Sequence, residues 1–374
     1  STPSNSSAAS DVYKRQAFNS EGMTTNPVSV ISDVILYPNK IKVNSLNYKQ
    51  TITSQNNKKS IQNQVNASGE ISLLPNNIAQ FKNFKIKTDN PTNARIFNVL
   101  FKKPTIKQGV FTSNLVINGT SAAPYILGDL NVKSIDIPLL DSTVRDINID
   151  FQKDFINLSS KAVVLTNDIF MNAKIINKAS MPVEVEDVKI QMDELNLNVI
   201  SAALNDLEAD YTRNNPLKQG TIPALSPNTL IIKNAQINAD NVLIKKANAS
   251  KFKSHMTLDE NQIFNIDDYS FNIANGTVNG KISYDLKNFS GTGSMQINKA
   301  DAQIIAENFF DMPGQMYGTV TGDLNVSCTG LSSIDCINTL SGSGKFEVSD
   351  GKMPKLGSLE YLLKAGNLIT GGVT

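Results

Sequence analysis

The chain has no tryptophan, two cysteines, one histidine, and arginine only at Arg15, Arg95, Arg145 and Arg213. Each scarcity removes a class of function. With 35 basic and 34 acidic side chains over 374 residues the charges nearly cancel, so there is no excess of cations to neutralise a phosphate backbone, and nucleic acid is not an expected partner. A lone His255 is all that a Ser/His/Asp or Cys/His relay would have to work with. Its surroundings, KFKSHMTLD, alternate as a strand, which reads as a solvated strand histidine. Cys328 and Cys336 with His255 are too few for a zinc site, so neither metal nor cofactor is expected. Eight positions apart, the two thiols either bridge in an oxidising compartment or stay free. No apolar run reaches the roughly 18 residues of a membrane-crossing helix, and the first residues lack the apolar stretch of a signal peptide.

Near the C-terminal end stands SGSGKFEVSDGKMPKL, from Ser341 to Leu356. Its glycines and lysine invite a phosphate-loop reading, G-x-x-x-x-G-K-[ST]. Thr339 stands where the first glycine is required and Phe346 where the Ser or Thr is required, so the reading fails twice. Period-two alternation remains, with Phe346 and Val348 on one face and Lys345, Glu347 and Ser349 on the other. This predicts a half-buried strand ending in a tight turn at Asp350-Gly351.

Asn, Ile, Ser, Thr and Val dominate, a usage that favours short strands and turns. The first twenty residues have no periodicity and read as disorder or a cloning scar. From Val28 onward alternating segments follow one another with almost no helix between, as in RDINIDF, where Ile147, Ile149 and Phe151 share one face and Asp146, Asn148 and Asp150 the other. Leu195, Val199, Ala203 and Leu207 recur at helical spacing, predicting a helix within 192–210 that closes a β region over 21–210. Residues 211–228, rich in Pro, Asn and Gly, read as a linker or long loop, and strands resume from 229 to 374. Within that stretch DAQIIAENFFDM predicts a helix capped by Asp301, with Ile304, Ile305, Phe309 and Met312 on its stripe and Pro313-Gly314 as its stop. Short helices are also expected at SSIDCINTLSG and KLGSLEYLLKAGN. Carboxylates are scattered, and adjacent ones such as Asp267 and Asp268 point to opposite faces of a strand, so no enzyme is expected unless carboxylates of different strands share one cleft.

Three phrases in order, NGTVNGKISYDL (275–286), NKADAQII and LSGSGKFEVSDG (340–351), resemble the C-terminal region of the AsmA-like family, the AsmA/TamB/YhdP superfamily. The likeness covers roughly residues 229–374, and PYILGDLNVKSIDI followed by RDINIDF is similar in style to that superfamily's upstream repeats. The resemblance implies an elongated, twisted antiparallel β-sheet forming a groove. It further implies a non-enzymatic lipid conduit of the periplasm that moves phospholipid between inner and outer membrane and supports outer-membrane assembly. Stopping at Thr374 and lacking an N-terminal anchor are departures that read as a fragment, the full-length protein being anchored to the inner membrane.

The alternating apolar face therefore has two readings: a closed core between packed faces, or a curved sheet open to lipid tails. Alternation alone favours the first, and the resemblance favours the second. In the second, Ile147, Ile149, Phe151, Phe271, Ile273, Phe346 and Val348 are candidate groove residues. The physical need is plain, because exposing a sixteen-carbon chain to water costs on the order of 12 kcal/mol at about 0.8 kcal/mol per methylene. A surface or secreted β-solenoid adhesin is the alternative function.

Overall fold

A computed structural model describes residues 25–53, 60–94, 108–137, 142–164, 167–198, 230–330, 336 and 338–352. The protein is mostly β, and its chain divides into two compact units, Ser1–Val183 and Glu184–Thr374. The linker expected at 211–228, the cloning scar at 1–20 and the helix at KLGSLEYLLKAGN lie outside the described residues.

In the first unit β1 (Thr25–Tyr37), β2 (Lys40–Thr53), β3 (Ser60–Leu74) and β4 (Ile78–Thr88) follow as antiparallel hairpin neighbours. The two-residue β5 (Thr92–Asn93) and β4 both pair with β6 (Val110–Thr120). The meander continues through β7 (Pro124–Ile137), β8 (Ser142–Phe151), β9 (Phe155–Val164) and β10 (Asn167–Ile176). Short turns at 37–40, 74–78, 120–124 and 151–155 join neighbouring strands where Asn, Pro, Gly, Ser or Asp interrupts the alternation. Bulges interrupt the ladder between Asp33 and Val34, Val43 and Leu46, Ser68 and Glu70, and Phe81 and Phe84. An extra residue bends its strand and raises the local twist.

The second unit holds β11 (Val183–Asn196), β12 (Leu230–Ile244), β13 (Ala247–Leu258), β14 (Ile263–Ile273), β15 (Gly276–Asp285) and β16 (Ser290–Asp301). Helix α1 (Ala302–Phe310), β17 (Tyr317–Thr329) and β18 (Ser341–Lys352) follow. From β12 to β18 each strand pairs antiparallel with the next. Strand β11 is tied to β12 by Lys233, which bridges Glu186 and, at 3.5 Å, Glu184. The hydrogen bond that Lys233 donates to Glu186 holds the ammonium above its ordinary pKa. These antiparallel steps differ from the parallel strand stacking of a β-helix.

The sequence expectations need three corrections. The helix expected within 192–210 does not include its first residues: 192–196 are the end of β11, where Met192 is buried and the Asp193 carbonyl accepts from Asn241 Nδ2 at 3.4 Å. Cross-strand bonding overrides the helical spacing that began at Leu195; 197–198 are helical, and the rest of the expected helix lies outside the described residues. The tight turn expected at Asp350-Gly351 is instead a continuation of β18, with Lys352 opposite Tyr317. Asp350 takes a φ of 53° and Gly318 one of 116°, and this irregularity lets the ladder run on. Nor is β18 half-buried, for its residues are exposed along its length.

Helix α1 starts where Asp301 accepts from the backbone N–H groups of Gln303 and Ile304, satisfying two donors a helix leaves free. Its buried residues are Ala302 and Ala306, rather than the Ile304, Ile305 and Phe309 stripe, because the small alanines let the helix lie close to β13, β16 and β17. Met312, just beyond it, is buried as expected.

Candidate functional site

Directly opposed residues of an antiparallel pair share a face, so the registers of β14 to β18 define rows across the second unit. One row runs Ile266, Ile282, Gly293, Val326, Gly342; the next runs Tyr269, Gly280, Met295, Leu324, Gly344. A third runs Phe271, Val278, Ile297, Gly322, Phe346. Apart from the tyrosine hydroxyl, these rows present apolar side chains and glycine. The intervening rows, such as Asn265, Ser283, Thr292, Ser327, Ser341, are polar throughout. The sheet is therefore apolar on one face and polar on the other across five strands.

Aromatic rings on the apolar face stand opposite glycines: Tyr269 opposite Gly280, Tyr284 opposite Gly291, and Phe346 opposite Gly322. A Cβ on each of these glycines would run into the ring it faces. The rings lie down over the neighbouring strand, covering backbone that lacks a side chain. Burial raises the pKa of both Tyr269 and Tyr284, as a phenol against an apolar surface requires.

Burial along this face is graded. Near α1 it is closed: Ile273 is 4% exposed and Val278 3%, alongside Val242, Ala300 and Val320. It opens at Ile282, 40% exposed, and on β18, with Val348 at 41% and Phe346 at 54%. An open hollow of about 830 Å³ spans β14 to β18 over the row from Ile266 to Gly342 and the polar row on each side of it, so most of its lining, such as Asp267, Lys281, Thr292 and Asn325, is polar. That volume is within the range of ligand sites.

All four groove candidates of this unit share the apolar face. Phe271 and Phe346 are the ends of one row, while Ile273 and Val348 lie one step further along the same strands. Ile273 belongs to the closed end and cannot line an open path.

In the first unit Ile147, Ile149 and Phe151 also share one face, each in its own row. Phe111, Val132, Ile147, Ser160 and Met171 form the first, Ser113, Leu130, Ile149, Leu158 and Ala173 the second, and Leu115, Gly128, Phe151, Ile156 and Ile175 the third. Ile147 packs at the margin of a closed cluster of Ala94, Phe111, Val132 and Ile135. Asn63, a buried polar group near this cluster, accepts from the Asn93 N–H at 2.8 Å and donates to Gln50 Oε1 at 3.3 Å.

Cys328 on β17 is disulfide-bonded to Cys336, their Cα atoms 5.0 Å apart. The strand and helix placement expected for the two cysteines holds. Closing so short a loop contributes roughly 2–3 kcal/mol at most in a chain-entropy estimate. Reduction is expected to lower the urea midpoint of the second unit without unfolding it, because Thr339 also ties the loop by accepting from the Thr329 N–H at 2.9 Å. An unchanged midpoint on adding a reductant would show that the bridge adds no stability.

His255 Nδ1 lies 3.1 Å from Asp267 Oδ2, and the Thr257 hydroxyl is 3.4 Å from the same oxygen. Both His255 and Asp267 are substantially exposed. Among the described residues, no group of three or more His, Cys, Asp or Glu is placed to hold a metal, and no helix is long and apolar enough to cross a membrane. Comparison with protein families finds no match, and no curated protein matches the chain.

Proposed function

We propose that the apolar sheet faces bind the acyl chains of a phospholipid or related amphiphile, and that the protein works as a non-enzymatic lipid carrier. The observation that carries this reading is the exposed part of the second unit's apolar face. It leaves Ile282 on β15 and Phe346 and Val348 on β18 substantially exposed on one side of the sheet, while the opposite face is uniformly hydroxyl, amide and charge. A sheet that closes on a dry core hides such residues; a sheet that takes up hydrocarbon leaves them accessible until the ligand arrives.

Acyl chains would lie against the isoleucine, valine and aromatic surface, and the headgroup would remain in water at the edge. The likeness of NGTVNGKISYDL and LSGSGKFEVSDG to the AsmA-like family supports placing this activity between the two membranes of a diderm envelope, with phospholipid as cargo and a groove-shaped sheet as the path. No energy source is assigned to the chain itself.

The test is native mass spectrometry of the chain purified from a diderm host, with lipid extraction of the same sample. Phospholipid at or above one per protein is the expected result. A folded protein that repeatedly carries none would overturn the proposal.

A further inference from the structure

The antiparallel registers bring five turn segments of the first unit to one end of its sheet. These are the turns at 37–40, 74–78, 120–124 and 151–155, and the segment that follows β10, 177–183. Hydrogen bonds join them side by side. Leu73 N–H donates to Asn39 O at 2.9 Å, Ser121 N–H to Ala79 O at 2.7 Å, and Asn177 N–H to Asp154 O at 3.0 Å. The Tyr125 hydroxyl donates to Lys153 O at 2.9 Å.

Turn tips stand in water and are ordinarily Gly, Asn, Asp and Ser, as in the Asp259–Gln262 turn of the second unit. Here large apolar side chains stand at the strand ends beside two of the turns and in the segment after β10. Leu36 is 74% exposed, Leu73 and Met181 are each 55% exposed, and Tyr37, Leu74 and Val183 are exposed beside them. Lys40, Lys153 and Lys178 stand in these turns with Asp154 as the one carboxylate. The Lys40 ammonium lies 4.9 Å from the centre of the Tyr37 ring and 3.6 Å from Glu70.

We propose that this end of the first unit docks on the surface of an anionic lipid bilayer. The chemistry matches at two depths. Leucine, methionine and tyrosine at this end enter the boundary between headgroup and acyl chain, and the lysines, three against the carboxylates of Asp154 and Glu70, meet lipid phosphate. Tyrosine and lysine suit that boundary because each has an apolar body and a polar end. A protein partner is the weaker fit, since protein interfaces centre on an anchor buried in a pocket. These apolar groups are instead strung along separate tips over roughly 40 Å, at about 4.8 Å per strand. Leu36 lies in the row Leu36, Ile41, Ile71, Phe81, Gly119, so the docking edge is the turn end of the first unit's apolar face, and the inference rests on that face being open as proposed above.

The absence of tryptophan provides the test. Leu36→Trp in the full chain introduces a single indole at the most exposed tip. With vesicles of phosphatidylglycerol and phosphatidylethanolamine its emission is expected to shift to the blue and to be quenched by bromine-labelled lipid, and with phosphatidylcholine vesicles the shift is expected to be much smaller. In parallel, Leu36→Asp with Leu73→Asp is expected to reduce vesicle co-sedimentation at least tenfold while circular dichroism stays unchanged.

No emission shift on either vesicle, or full co-sedimentation of the double variant, would overturn the proposal. An equal shift on phosphatidylcholine would overturn its anionic part. A concentration-dependent shift without vesicles would assign the edge to a second copy of the chain instead. Should the double variant misfold, the Leu36→Trp readout alone decides.

Discussion

Val278→Asp is expected to unfold the second unit, while Ile282→Asp, four residues along the same strand face, is expected to leave it folded and strip it of lipid. Both side chains point to the apolar face, and only burial separates them. At Val278 the carboxylate would be enclosed near α1 without a partner. Loss of the valine's burial, about 1.5–3 kcal/mol, would add to the several kcal/mol of desolvating an unpaired charge. Together these approach the whole stability of an ordinary domain, about 5–15 kcal/mol. At Ile282 the charge stays hydrated, and the cost expected of an exposed substitution is within about 0.5 kcal/mol.

A carboxylate in the middle of an acyl path would nevertheless have to be dehydrated each time hydrocarbon bound, so lipid occupancy should fall at least tenfold. Phe346→Asp should behave like Ile282→Asp, and Ile273→Asp like Val278→Asp. Urea midpoints and lipid-to-protein ratios read both effects. If Ile282→Asp proved as destabilising as Val278→Asp, the face would be covered in solution and the core closed. A folded Ile282→Asp that kept its lipid would remove the acyl-binding reading.

Alternation was enough to locate most strands. In RDINIDF it assigned Ile147, Ile149 and Phe151 to one face before any partner was known, and the registers with β7 and β9 agree. Helix α1 was legible because its cap, Asp301, and its stop, Pro313-Gly314, are local chemistry. The end of β11 was not, because Leu195 satisfies helical and strand periods alike, and what decides is a strand more than thirty residues away. Bulges were equally hidden: Lys299, with a φ of 54°, carries no turn signature of its own, and its conformation answers to the pairing of β16 with β17.

The site was half legible for the same reason. Which residues are apolar and alternate is written locally, so Phe271 and Phe346 were both found, although they lie 75 positions apart in the chain (346 less 271) and meet only as the ends of one row. Whether a given position is open or closed depends on what packs over it. Ile273 and Phe346 look alike in sequence, yet the first lies at the end closed by α1 and the second on the exposed β18. The turn-end leucines escaped attention because each, alone, continues the alternation of its strand. Their meaning appears only when the registers place five turns in a line.

Gly128→Val is the substitution expected to cost the first unit most. Gly128 lies in the interior of β7, opposite Leu115 on one side and Phe151 on the other, with a φ of 111°. A Cβ there would overlap the Asn114 carbonyl oxygen and come within 3.3 Å of Leu115 Cα. Because the obstacle is backbone, no rotamer change relieves it; β6 must move away or β7 must change conformation, either way breaking ladder bonds. Strain of about 1–3 kcal/mol for the backbone angle and the loss of buried hydrogen bonds put the total near 4 kcal/mol, and Gly128→Ala should cost nearly as much.

Gly293→Ala is the control, for its φ is ordinary and its Cβ would meet only the end of the Val326 side chain at 3.3 Å. It should shift stability by less than about 1 kcal/mol. The contrast also bears on SGSGK. A Cβ on Gly342 would approach the Asn325 carbonyl to 2.5 Å and one on Gly344 the Asp323 carbonyl to 2.7 Å, so those glycines serve close strand approach beside β17. Lys345, in the same ladder, faces away from the apolar side. Similar costs for Gly128→Ala and Gly293→Ala would mean that the φ of 111° is not what the first unit depends on, and the argument from close approach would have to stand on contact distance alone.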